Sequence, residues 1–142
     1  MPPTDSNQKL IEDFYDKIRN SSDETTAHRI LAPNFRFRGS TGPTKSGVQE
    51  FLDYVRLIRD ALSEYDCVVE TIVTDNQQSF AKMLFRGRHT GEFFGVAPSG
   101  RVIEWAGAAL FHFERGRIDA LWVLGDVDHL KSQLGLSKQI AP

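Results

Sequence analysis

VIEWAGAALFHFERGRIDALWVLG, Val102–Gly125, reads as two long strands joined through Arg115-Gly116. Glycine at the tip of such a run is the strongest short-range signal of a hairpin. Apolar and polar residues alternate on both sides of the turn, as in a sheet with one covered face. Upstream, Val68–Thr74 and Ser79–Thr90 read as two further strands around Asp75-Asn76, and Pro98-Ser99-Gly100 turns the chain before the hairpin. A short last helix is expected from Asp126 to Gly135, a glycine that suits a helix end.

The first half is mostly helical. Leu10, Ile11, Phe14 and Ile18 form one apolar stripe behind a cap at Asp5 or Ser6. Ser22 or Asp23 can cap a second helix through Leu31, which Pro33 ends. Asn34–Arg38 alternates Phe35 and Phe37 with Arg36 and Arg38, as a strand with one wet face does, and Gly39–Lys45 reads as a loop. Ser46 and Gln49 suggest a capping box for a third helix, whose buried stripe is Val48, Phe51, Leu52, Val55, Ile58 and Leu62. Helices segregated from a strand meander give an α+β domain. The expected form is a curved antiparallel sheet with N-terminal helices enclosing a cavity. One domain is expected to take in residues 1–142, with frayed ends outside about 6–135.

Composition narrows the partners. The 142 residues carry a formal charge of -2, which offers no broad positive field for a phosphate backbone, so nucleic acid is not an expected partner. No apolar run is long enough to span a bilayer and no signal-type leader begins the chain, so no membrane is expected and the location is taken as cytoplasmic. The one cysteine, Cys67, excludes an internal disulfide. His28, His89, His112 and His129 lie too far apart in sequence to suggest a metal site, and no phosphate loop or dinucleotide fingerprint is present, so neither metal nor cofactor is expected.

Candidate catalytic residues are His89 and Asp126. His89 shares strand parity with Ala81, Met83 and Phe85, which extends an apolar face toward the sheet's mouth, where an imidazole can move a proton. The bland alternative is a buried histidine satisfied by backbone groups. Regular hairpin pairing sets Asp126 near Trp105, where a carboxyl among indoles can act as acid or base; its alternative is a helix N-cap. The same pairing sets His112 opposite Asp119 as a surface pair. Trp105, Trp122 and Phe94 are candidates for holding a planar ligand, and Tyr15 can point its phenol into the same cavity.

GRHTGEFFGVAPSG (Gly87–Gly100), FHFERGRIDALWVLGD (Phe111–Asp126) and HLKSQLG (His129–Gly135) together resemble the SnoaL-like polyketide cyclases, the ester cyclases of the nuclear transport factor two-like superfamily. The resemblance implies a cone-shaped α+β barrel, a deep apolar cavity, a homodimer through the outer sheet surface and no cofactor. It also implies an intramolecular aldol closure of a polyketide ester, with a carboxylate as acid and base. Aligned through Gly116 and Asp126, that carboxylate falls at Val123 and its partner imidazole at Ala109, neither of which moves a proton. Asp126 matches a strand-end aspartate and His89 a loop histidine. Ideal hairpin pairing puts positions 109 and 123 on opposite faces, so a bulge is expected between them. Three functions follow as alternatives: a cofactor-free cyclase or isomerase acting on a small hydrophobic molecule, a binding protein that has lost the chemistry, and a protein-docking domain.

Overall fold

A computed structural model describes residues 3–40 and 42–136; the tail beyond them, expected to fray, lies outside the described residues. Helix α1 (Pro3–Asp13) runs directly into a π-helical turn, Phe14–Arg19. Helix α2 (Glu24–Ile30) is capped by Asp23, whose Oδ1 accepts from the Thr26 N–H at 3.2 Å. It ends ahead of Pro33, and β1 (Leu31–Arg38) begins at once, with its register slipping across the proline between Leu31 and Arg36. The segment read as a loop contains a short edge strand, β2 (Thr44–Ser46). Helix α3 (Gly47–Ala61) buries Val48, Phe51, Leu52, Val55 and Ile58 as its spacing predicts. Its cap differs from the expected box: the Ser46 N–H donates to Glu50 Oε1, not to Gln49. Then come β3 (Leu62–Thr74), β4 (Gln78–His89), β5 (Val102–Glu114), β6 (Arg117–Gly125) and α4 (Val127–Gln133).

The six strands form one open sheet in the order β2-β1-β6-β5-β4-β3. Five strands follow the expected antiparallel meander or its edge, but β1 lies parallel to β6. The rest of the chain is the crossover that a parallel pair requires, so the sheet is mixed. The hairpin closes on Arg115 and Gly116 with φ of 51° and 76°, the left-handed pair that a two-residue turn matched to strand twist demands. A register slip between His112 and Phe113 leaves Asp119 as the extra residue on β6. Beyond this bulge Ala109 pairs directly with Val123, which resolves the face conflict in the alignment.

Helices pack on the concave face. Phe14 meets Phe51 at 5.7 Å and Phe111 at 5.1 Å, and Phe35 meets Phe51 at 5.2 Å between ring centres. Such pairs add about 0.5–1.5 kcal/mol each beyond their burial, and they fill one end of the interior. Among the described residues, no helix is long and apolar enough to cross a membrane.

Candidate functional site

At the other end of the concave face the packing leaves a void of about 280 Å³, near the lower end of typical small-ligand pockets. Strands β1 and β3 to β6, helices α3 and α4, the π-helical turn and a loop wall it. Trp105 of β5 and Phe85 of β4 lie with ring centres 5.3 Å apart, and Phe93 sits 6.3 Å from Trp105. Tyr54 and Ile58 come from α3, Val123 from β6 and Leu130 from α4. A larger hollow of about 440 Å³ lies outside, near Pro33 and Arg117, but it lacks aromatic walls.

Gly107 explains the position of Phe85. A Cβ at residue 107 would stand 2.1 Å from Phe85 Cε2, so the bare backbone of β5 is what admits the ring across its pair Met83. The loop over the mouth carries Glu92, Phe93 and Phe94. Phe94 and Gly95 both have positive φ, 51° and 75°, in a tight turn closed by the Phe93–Val96 bridge. Lys131 of α4 stands 5.6 Å from the centre of the Phe94 ring.

The polar feature of the cavity comes from the π-helical turn. Its i→i+5 spacing, seen where the Asn20 N–H donates to Tyr15 O at 3.0 Å, widens the turn. Phe14, Tyr15, Ile18 and Arg19 all face inward as a result. Arg19 is 7% exposed and its Nη2 donates to Tyr65 Oη at 2.8 Å. Its guanidinium also faces the rings of Tyr54, Tyr65 and Phe85 at 5.8, 5.7 and 6.0 Å. The Cys67 thiol lies 3.3 Å from Tyr65 Oη. Among the described residues no carboxylate pairs with Arg19. Burial opposes its charge, but Tyr65 and Cys67 outweigh that and hold the guanidinium above its ordinary range. Burial also pushes the Tyr65 phenol well up, so it is a neutral partner near pH 7.

The expected site residues divide. Phe94 and Trp105 wall the cavity. Trp122 does not: the bulge sets it on the outer face, 43% exposed, with Arg38 over its ring. Tyr15 packs edge-on against Phe14 and Phe111 in the core, at 5.1 and 5.9 Å, near Cys67 and Arg19, and is not among the residues that wall the void. Asp126 is an exposed N-cap that accepts from the His129 N–H at 3.1 Å. The same bulge shifts its backbone contact to Ala106, away from Trp105.

His89 is fully buried, as its parity predicts, but it is not among the residues that wall the cavity. Its Nδ1 accepts from the Ser99 N–H at 3.2 Å and lies 3.0 Å from Ser99 Oγ. A backbone donor at Nδ1 puts the neutral ring's proton on Nε2, which is buried without a hydrogen-bond partner among the described residues. The backbone of His89 also bonds Gly100 and Arg101, so this residue ties down the far end of the mouth loop. His112 and Asp119 do meet, at 2.6 Å, on the outside. Among the described residues no three His, Cys, Asp or Glu side chains gather where they could hold a metal ion.

Arg19, Tyr65 and Glu92 are cavity residues that sequence reasoning passed over. Arg19 follows the apolar stripe by one residue, and an α-helix would turn it toward solvent.

The model of the SnoaL-like polyketide cyclase family matches residues 9–134. The chain belongs to this family. Solved structures agree in fold. A proposed SnoaL-like polyketide cyclase from Jannaschia sp. CCS1 is 17% identical, with 99% of this chain and 97% of that one covered at a TM-score of 0.84. TsrD from Streptomyces laurentii is 24% identical over 93% and 96%, with a TM-score of 0.81. IdmH from Streptomyces antibioticus, a proposed polyketide cyclase, is 25% identical over 95% and 99%, with a TM-score of 0.76. No curated protein matches the chain. In this SnoaL-like chain, Val123 walls the cavity and Ala109 is buried beside it. The two positions to which the resemblance assigns the acid–base pair thus face inward together, without a titratable group. Among the described residues that wall the cavity, Glu92 is the one carboxylate.

Proposed function

We propose that this SnoaL-like chain is a cofactor-free cyclase or isomerase that takes a small, largely apolar, carbonyl-bearing molecule into the aromatic cavity and moves its protons with Glu92. The observation that supports this is the cavity itself, in which Trp105, Phe85 and Phe93 present planar walls and Glu92 the carboxylate. Glu92 would take a proton from the carbon next to a substrate carbonyl. The enolate carbon would then attack a second carbonyl of the same molecule, and Glu92 would return the proton to the new alkoxide oxygen. His89 and Asp126 drop out of this reading, because one is tied to Ser99 and the other caps α4.

The probe is β-tetralone, a bicyclic ketone whose α-protons exchange slowly near neutral pH. Protein in heavy water should accelerate deuterium uptake at those carbons, and Glu92→Gln should lower the rate by at least about tenfold, within the usual 10²–10⁴ of a positioned base. Equal rates for the two proteins would reject Glu92. Binding without any acceleration would favour a second reading, a ligand carrier that has lost the chemistry, which Val123 and Ala109 support.

The outer sheet face supports a homodimer. Phe80, Leu110 and Trp122 align across β4, β5 and β6 and are each about two-fifths exposed, at 43%, 41% and 43%. Light scattering should give twice the chain mass; a monomer at micromolar concentration would contradict it.

A further inference from the structure

Among the described residues that wall the cavity, Arg19 is the one cation, and no carboxylate pairs with it. A guanidinium removed from water is costly unless an anion or a full set of acceptors meets it. Here its partners are a neutral phenol, at 2.8 Å, the Cys67 side chain and ring faces, none of which is a carboxylate. The side chain is also part of the cavity wall, so a ligand in the void lies beside it. Guanidinium donors form a planar fork that matches a carboxylate. Around this fork stand Tyr54, Tyr65, Phe85 and Trp105, which suit a flat apolar body.

We propose that Arg19 is the specificity residue of the cavity and that the ligand is a planar apolar acid whose carboxylate lies against the Arg19 guanidinium. Tyr65 holds the fork in place and is available to donate to the same carboxylate. This deepens the function proposed above and rests on that cavity being the ligand site. It predicts that an acid is preferred over its neutral isostere, which an aromatic cavity alone does not predict.

The test compares β-naphthoate with β-naphthamide on the intact wild-type chain by calorimetry. Naphthoate should bind at least tenfold more tightly. Arg19→Gln should erase that ratio while leaving naphthamide affinity within about threefold, and Arg19→Lys should keep part of it. Cys67→Ser should leave the ratio unchanged, which separates a ligand anion from a thiolate as the partner of Arg19. The wild-type comparison needs no variant to fold. Equal affinities for the two ligands would overturn the proposal while leaving the cavity reading intact. No binding of either would overturn both. A ratio that survives Arg19→Gln would place the anion elsewhere.

Discussion

His89 is tied to Ser99 of the mouth loop and stands outside the cavity wall. Its strand parity foretold full burial, and it is fully buried. What the sequence could not show is that Ser99, ten positions on, would fold back to occupy Nδ1. Replacing His89 by Ala leaves the Ser99 N–H without its acceptor and opens a void, so stability should fall by about 2 kcal/mol in urea titration. The mouth loop should loosen with it. Half-saturation for β-tetralone should therefore rise, while the rate at saturation changes little. His89→Asn, whose side-chain oxygen can accept the same N–H, should recover part of the affinity. A collapse of the saturated rate in both variants would return His89 to the chemistry. Arg19 is the converse case: its identity drew no notice, because a cation just beyond an apolar stripe ordinarily faces water, and the π turn reverses that.

At the scale of elements, the hairpin, α3 and the capped α4 were legible because each rests on local rules of spacing, turn chemistry and capping. Two features were not. The parallel seating of β1 beside β6 depends on contacts between distant parts of the chain. The position of the bulge at Asp119 decides that Trp105 faces in and Trp122 out, and a one-residue slip exchanges such faces. Gly107 makes the room in β5 that the Phe85 ring occupies. Gly107→Ala pushes its methyl into Phe85, 2.1 Å away, and the ring has the void to move into. The expected outcome is a loss of about 1–3 kcal/mol together with weaker β-tetralone binding. Unchanged values for both would mean that Phe85 does not shape the void.

The whole molecule sets a core of packed phenylalanines, mostly edge-on, at one end against a void at the other, and buries two phenols as well. Tyr15 and Tyr65 both have folded-state pKa values raised by burial above the ordinary 10.0. The folded chain therefore holds these protons more tightly than the unfolded chain does. Their contribution to stability is full below about pH 10 and is lost as pH rises through the folded values. Thermal unfolding should show a steep alkaline fall above that pH, and Tyr15→Phe should make it shallower. An alkaline limb of unaltered slope would contradict the burial of Tyr15.

The placement of the two indoles allows the most direct test of the cavity as the ligand site. Trp122→Phe leaves Trp105 as the sole indole, in the cavity wall. Titration of this variant with β-tetralone should quench Trp105 emission saturably, and adding Val123→Phe, which puts a larger side chain into the same cavity, should abolish the quenching. Emission that never saturates, or that is quenched equally in both proteins, would show that the ligand does not enter between Trp105 and Val123.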